Sequence, residues 1–267
     1  MKEALKLLCV LAHPDDESLG TGGTLAHYAE EGIETYLLTA TRGERGRFGD
    51  QKESPGLEVV GKVREAELRA AAKELGVREV SLLDYRDREL DQANPTEIIA
   101  KIAGHLRRVR PHVVISFGPE GAYGHPDHIA ISQFTTAAIV CAADPTSSAP
   151  GNAHRVSKFY YVAWPEDKWA AYQAALKDLK TTVDGIERRA VPWPDWALTT
   201  VIDTSAAWST VWRAVSCHKT QMSIYRNLEH LPEEHHKGLW GNQAFYRVFS
   251  LVNGGRGSET DLFEGLR

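Results

Sequence analysis

A chain of 267 residues, 42% hydrophobic and 25% charged, is long enough to bury one sizeable core and too balanced in composition to be disordered or fibrous. Its formal net charge of −5 argues against a sequence-independent nucleic-acid binder, which needs a basic face. No run of about 18 apolar residues offers a membrane-spanning helix. The apolar stretch at residues 7–11 is too short for the core of a signal peptide. Cys9, Cys141 and Cys217 are widely spaced and odd in number. They make no disulfide framework or C-x-x-C metal site and read as small buried hydrophobes in a reducing, cytoplasmic compartment.

In chain order, residues 5–11 form a continuous apolar run, the pattern of a strand buried on both faces. Residues 21–31 read as a helix ended by Gly32, and 33–39 as the next strand. Residues 42–56 are rich in glycine and charge without periodicity, a long loop of the kind that is usually functional or disordered. Residues 62–75 have helical spacing with Gly76 as the stop, and 80–83 make a short strand. Residues 95–109 form a helix with proline at its start, 113–117 a strand, 118–124 a glycine-rich turn and 129–143 a helix. A loop at 144–152 precedes a strand at 159–163 and a helix at 166–179. Beyond Thr182 the pattern weakens: 201–203 reads as a strand, 206–217 as a helix and 248–252 as a last strand. Strands alternating with helices predict an α/β fold, a Rossmann-like three-layer sandwich with a mostly parallel central sheet. The expected organisation is a single domain over residues 1–267, with a catalytic core at about 1–143 and residues 144–267 completing the sheet and bordering the site.

Open sheets of this type bind ligands beyond the carboxyl ends of their strands. The loop after residue 11 carries His13-Pro14-Asp15-Asp16-Glu17, and the loop after residue 117 carries His125-Pro126-Asp127-His128. Imidazoles and carboxylates crowded at a strand end are costly unless something neutralises them, and a divalent cation does so. His13 and Asp16 are three apart where a loop enters a helix, and His128 can join them from the neighbouring loop. Three protein ligands and an open position are the catalytic pattern for zinc; the same donors suit Fe(II). A carboxylate beside a cation that acidifies water can take the proton, which makes Asp15 the candidate general base. Protonated His125 is expected to stabilise the oxyanion or donate to the leaving amine. Asp127 is expected to hydrogen-bond His125 and raise its pKa, and Tyr123 to donate to the oxyanion. The structural alternative for Asp15 and Asp16 is a helix N-cap.

AHPDDE at residues 12–17 together with GHPDH at 124–128 resembles the LmbE-like, or PIG-L, family of zinc-dependent N-acetylglucosaminyl deacetylases. TRGERGRFG from Thr41, VREAEL from Val63, YRD at 85–87 and CHKTQ at 217–221 extend the likeness through most of the chain. The resemblance implies a Rossmann-like fold and a hydrolase that removes an N-acetyl group from a GlcNAc-containing small molecule or glycoconjugate. Members act on glucosaminyl-inositol, glucosaminyl-malate, chitooligosaccharide, glycolipid or antibiotic substrates. By motif position it implies zinc on His13, Asp16 and His128, the base at Asp15, the charged imidazole at His125, its tuning carboxylate at Asp127 and the oxyanion-side tyrosine at Tyr123. It also implies sugar contacts at Arg64 and Asp87. Many members follow Tyr-x-Asp with Ser-Gly, where this chain has Arg88-Glu89.

Arg42, Arg45 and Arg47 read either as a solvated loop or as contacts, Arg47 among them, to an acidic substrate group. Trp164, Trp169, Trp193 and Trp196 read as core or as sugar-stacking platforms. His218 and Gln221 read as structural or as bordering the site, and His235-His236 as solvated surface. The partner implied is a small amino-sugar substrate, with no nucleic acid and no membrane; homo-oligomerisation stays open. Three other readings remain. One is an amidase of a thiol-sugar conjugate, with the same core chemistry. Another is a non-haem Fe(II) oxygenase using the two-His-one-carboxylate set, which the fold disfavours. The last is a nucleotide-binding module at Gly20-Thr21-Gly22-Gly23, which lacks G-x-G-x-x-G because position 25 is leucine.

Overall fold

The computed structural model describes residues 4–176, 179–254 and 257–267. Nine strands are present among them: β1 (Lys6–Leu11), β2 (Glu34–Thr41), β3 (Glu79–Tyr85), β4 (Val113–Phe117), β5 (Lys158–Val162), β6 (Lys180–Val183), β7 (Ile186–Arg189), β8 (Thr200–Asp203) and β9 (Asn242–Ser250). The helices are α1 (Asp16–Glu30), α2 (Leu57–Glu74), α3 (Pro95–Val109), the single irregular turn α4 (Gly121–Gly124), α5 (Pro126–Ala143), α6 (Glu166–Leu176), α7 (Trp208–Cys217), α8 (Met222–Tyr225) and α9 (Glu233–Trp240). No helix of the described residues is long and apolar enough to cross a membrane.

Seven strands form one sheet in the order β3-β2-β1-β4-β5-β9-β8, and β6 and β7 form a separate hairpin. The first five sheet strands are parallel, while β9 runs antiparallel to β5 and β8 antiparallel to β9. β1 is buried from Leu7 onward and β4 throughout, as a continuous apolar run requires when helices cover both faces. Right-handed crossovers place α1 and α2 on one face and α3 and α5 on the other. Contacts among α1, α2 and α7, and between α3 and α5, agree with that division. The chain winds outward from β1 to β3, then returns to β4 at the other side of β1. The strand order therefore reverses between β1 and β4, and such a reversal opens a ligand crevice at the carboxyl ends. The two His-Pro-Asp loops flank it.

Helix boundaries followed their caps. α3 matches its sequence reading, because Asn94 accepts from Thr96 N and Glu97 N with Pro95 behind it. α5 starts at Pro126, three residues before the expected 129, because His125 Nδ1 accepts from Asp127 N as an imidazole cap. α1 starts at Asp16, but Asp15 makes no side-chain cap, so the capping alternative for Asp15 falls. The last sheet strand lies at Asn242–Ser250, not 248–252. It sits between β5 and β8 with a register shift opposite Phe159 and Tyr160, which blurs its two-residue period. The expected helix to residue 179 runs into residues 177–178, which lie outside the described ones. The β6–β7 hairpin was not expected: its alternation is polar, and it packs on α4 instead of on the sheet. His236 is also a correction. It is buried, stacked with Trp208 and Trp240 at ring distances of 5.8 and 5.3 Å, while Trp196 is the exposed aromatic, at 86%.

The carboxyl-terminal segment is tied to the sheet by Glu259, which is buried. It meets Lys158 Nζ at 2.7 Å, Arg247 at 2.7 Å, the Tyr160 hydroxyl at 2.8 Å and Thr200 Oγ1 at 2.9 Å. Burial alone would raise its pKa, but hydrogen bonds led by that from Lys158 hold it down to about 2. Glu259→Ala is expected to lower stability by about 3 kcal/mol in urea unfolding near neutral pH, because two buried cations lose their carboxylate. A depressed acid stabilises above its unfolded pKa and stops doing so as pH falls through its folded value. The wild-type advantage should therefore shrink from about pH 4.5 toward about pH 2. A loss under about 1 kcal/mol near neutrality would refute the assignment.

Candidate active site

A cavity of about 430 Å³ opens at the β1/β4 reversal, walled by the loops that follow β1, β2, β3 and β4 and by α6 and α8. His13 Nδ1 lies 3.2 Å from His128 Nε2. Asp16 Oδ1 is 3.4 Å from His128 Nε2, and Asp16 Oδ2 is 3.7 Å from His13 Nδ1. Zinc bonds of ~2.0–2.1 Å to nitrogen and oxygen in a tetrahedron separate the ligand atoms by about 3.3–3.4 Å. The two imidazole nitrogens, and Asp16 Oδ1 with His128, are near that separation, while the other Asp16 oxygen stands somewhat farther from His13. The other ring nitrogen of His13, Nε2, meets Asp127 Oδ2 at 3.0 Å and Asp87 Oδ1 at 3.3 Å. Those carboxylates fix the proton on Nε2 and leave the Nδ1 lone pair facing the centre, the usual arrangement of a metal-ligating histidine. His128 stacks on Phe117 at 3.9 Å, and its Nδ1 is buried without a partner among the described residues. Burial opposes ionisation of Asp16, but the His128 and His13 imidazoles outweigh it and hold the carboxyl well below its usual range. The donor chemistry fits a divalent ion.

His125 also brings a ring nitrogen within 4.8 Å of those of His13 and His128. Asp16 fits the metal set better. His125 Nδ1 accepts from Asp127 N at 3.2 Å, so the ring proton of the neutral imidazole sits on Nε2, and an N–H cannot be a ligand. This corrects the expected role of Asp127. Asp127 does not hydrogen-bond His125 through its carboxylate. That group orients His13 and accepts from Arg88 N at 2.7 Å and Leu90 N at 3.2 Å. Burial first, then the neighbouring His13 and His128, lower the pKa of His125. With Nδ1 accepting from Asp127 N, its Nε2–H is the ring's remaining hydrogen-bond donor.

Asp15 has φ 103°, a backbone region unfavourable for a non-glycine residue. Glu17 holds it there, with Oε2 accepting from Asp15 N at 2.9 Å. Glu17 is itself fully buried and paired with His218 Nε2 at 2.7 Å. The Asp15 carboxylate accepts from the Tyr225 hydroxyl at 2.8 Å and from Arg64 at 3.2 Å, both on Oδ2. Burial raises its pKa and Arg64 opposes the rise. Tyr123 rides on a second strained turn. Ala122 has φ 63° and ψ −73°, a γ-turn geometry, flanked by Gly121 and Gly124 at positive φ. The turn sets the Tyr123 ring edge-on to His128 at 5.4 Å and to His125 at 5.9 Å. Burial pushes the phenol pKa upward, so it stays a donor.

All ten sequence-derived site residues except Asp127 line this cavity; Asp127 lies fully buried just behind His13. Two of the expected sugar contacts are already engaged. Arg64 donates to Gly43 O, Pro14 O and Asp15, and Asp87 meets His13 and accepts from Arg45 N at 3.0 Å. Trp164 and Trp169 line the cavity, and Trp193 borders it through its bond to Glu120. The CHKTQ segment is a staple: His218 binds Glu17, Thr220 binds Glu67, and Gln221 Nε2 donates to Arg47 O at 2.7 Å. Sequence reasoning missed Glu17, Tyr225 and Tyr172, both tyrosines lining the cavity. A glutamate directly after Asp16 was the only local signal; the two tyrosines arrive from helices remote in sequence.

A family model described as PIG-L, GlcNAc-PI de-N-acetylase, matches residues 8–139. The 1D-myo-inositol 2-acetamido-2-deoxy-alpha-D-glucopyranoside deacetylase of Kineococcus radiotolerans is 34% identical, over 98% of this chain and 83% of its own. Two solved structures share the fold: N,N'-diacetylchitobiose deacetylase from Pyrococcus horikoshii (TM-score 0.69, 20% identity, 92% of this chain and 85% of that one) and the 4-carboxy-2-hydroxymuconate hydratase GalB from Pseudomonas putida (TM-score 0.71, 19% identity, 94% and 99%). One fold thus serves two reactions, and function has to be read from the site and the sequence relatives.

Proposed function

Because this chain belongs to the PIG-L family, we propose that it is a metal-dependent hydrolase that removes the N-acetyl group from a GlcNAc-containing small molecule or glycoconjugate. The observation that carries the reading is the triangle of His13 Nδ1, His128 Nε2 and Asp16, with the Asp15 carboxylate beside it. Zinc, or Fe(II) in its place, would be held by these three residues and would supply Lewis acidity to water and to the amide carbonyl. Asp15 takes a proton from the attacking water and returns it to the departing nitrogen, so one carboxyl serves both halves of the hydrolysis. Water oxygen joins the acyl carbon, the C–N bond breaks, and acetate and the amine leave. Tyr123 OH and His125 Nε2–H donate to the carbonyl oxygen as it gains charge. Asp127 and Asp87 keep His13 in the ligating tautomer. Residues 1–267 work as one unit in this reading, supported by β8 and β9 completing the sheet that carries both motif loops. Arg64 acts here by holding Asp15, not by reaching the sugar.

The test is amine release from N-acetylglucosaminides by native, chelator-treated and re-metallated protein, alongside metal content by mass spectrometry. Chelation should abolish release and Zn(II) or Fe(II) should restore it, with His128→Ala failing to retain stoichiometric metal. Undiminished hydrolysis by metal-free protein would overturn the proposal.

A further inference from the structure

The turn that carries Tyr123 is held from outside the seven-stranded sheet. Glu120, Ala122 and Gly124 alternate along it, and each meets one residue of the segment that runs from β7 to Trp193. Arg188 Nη1 donates to Gly124 O at 3.2 Å, Val191 N donates to Ala122 O at 3.3 Å, and Trp193 Nε1 donates to Glu120 Oε1 at 3.0 Å. These contacts run antiparallel, 124 with 188, 122 with 191 and 120 with 193, so they lace the whole turn and bracket Tyr123. The Arg188 stem adds packing. A Cβ at residue 124 would lie 2.9 Å from both Arg188 Cβ and Cδ, so glycine is what lets the stem lie against the turn.

The lacing segment is itself fastened. Trp193 N donates to Trp164 O at 2.9 Å, and the Trp193 ring stacks on Tyr246 of β9 at 5.3 Å. Lys180 of β6 pairs with Glu187 of β7 at 2.7 Å across the hairpin, and Lys180 and Thr181 line the cavity. Ala122, at φ 63° and ψ −73°, has a backbone geometry that persists only where the surroundings impose it. The contacts at 120, 122 and 124 impose it from both sides. If they were lost, the turn would relax and carry Tyr123 with it. A misplacement of ~1 Å in a reacting geometry can cost about 10²-fold in rate.

We propose that residues 180–193 form a strap that fixes Tyr123 at the oxyanion, with Arg188 and Trp193 as positioning residues. The proposal rests on the deacetylase reading for the role of Tyr123.

The experiment uses Arg188→Ala/Trp193→Phe, which removes two of the ties and keeps an aromatic ring against Tyr246. The two single variants are measured beside it, against loss of the pair's fold. Arg188→Lys is the conservative control, since it keeps a stem and a donor. Amine release from an N-acetylglucosaminide, bound metal and the urea midpoint are measured in wild-type and Tyr123→Phe backgrounds. The pair should lower kcat at least about 10-fold, with KM and bound metal unchanged and Arg188→Lys close to wild type. In the Tyr123→Phe background the same pair should lower kcat less than about 2-fold, because the group it positions is gone. An unchanged kcat, or an equal loss in both backgrounds, overturns the strap. Fluorine NMR of protein carrying 3-fluorotyrosine needs no turnover. The Tyr123 resonance, assigned by its loss in Tyr123→Phe, should shift or broaden in the pair and stay in place in Arg188→Lys. A resonance unmoved in the pair overturns the strap. If wild type releases no amine, the deacetylase reading has failed, and the fluorine resonance decides the strap alone.

Discussion

Asp15→Asn should lower kcat by about 10²–10⁴-fold while the protein keeps its fold and its metal. The substitution removes a proton acceptor and the negative charge that faces Arg64, and changes little else. Asn matches Asp in shape and is among the few side chains tolerated at positive φ, so the φ 103° backbone of residue 15 can persist. Its side-chain oxygen can still accept from the Tyr225 hydroxyl, which now bonds Asp15 at 2.8 Å. The three donors His13, Asp16 and His128 are untouched. What Asn cannot do is take a proton from water or return one to the leaving nitrogen. The check is kcat by amine release together with bound metal per chain. A variant with full metal and more than about a tenth of wild-type kcat would move the base elsewhere. A variant that loses its metal would instead show Asp15 to be a ligand.

His218→Ala should destabilise the protein by about 3–5 kcal/mol, because it leaves the buried Glu17 carboxylate without its cation. Both side chains are fully buried and 2.7 Å apart. Glu17 also accepts from Asp15 N, so loosening it relaxes the strained residue proposed as the base, and kcat should fall with stability. The pH dependence follows from the imidazole. Burial on its own would lower the pKa of His218, but the charge and hydrogen bond of Glu17 override it and raise the value. A raised base contributes fully below its unfolded pKa of about 6.5, and the contribution is lost as pH rises through the folded value. The wild-type advantage over His218→Ala should thus be greatest in mild acid and shrink on the alkaline side. Urea unfolding across pH measures it. A difference that grows with pH would mean that the pair is not charged as described. His218→Gln, which can still donate to Glu17, should recover part of the loss.

Much of the site was legible because its residues are local. His13, Asp15 and Asp16 share one short loop, and Tyr123, His125 and His128 share another. Each loop leaves a strongly apolar strand, so the topology rule for parallel sheets could place them before any coordinates. Roles that depend on direction were not legible. Spacing suggested that Asp127 serves His125, its near neighbour in sequence. The helical start at Pro126 instead turns the Asp127 carboxylate toward His13 and leaves only its amide for His125. The β6–β7 hairpin was silent for a related reason: its strands are short and polar, and its packing against α4 leaves no period-two apolar signature.

By itself the sequence determined the parallel α/β sheet and the two histidine- and aspartate-bearing loops at its carboxyl edge, since apolar periodicity and residue chemistry are local properties. Tertiary structure alone decided which carboxylate faces which imidazole and that Arg64 holds Asp15. Those are properties of burial and of pairs far apart in the chain, Glu17 with His218 and Asp15 with Tyr225 among them. Desolvation and distance set their energies, and neither is written in spacing along one chain.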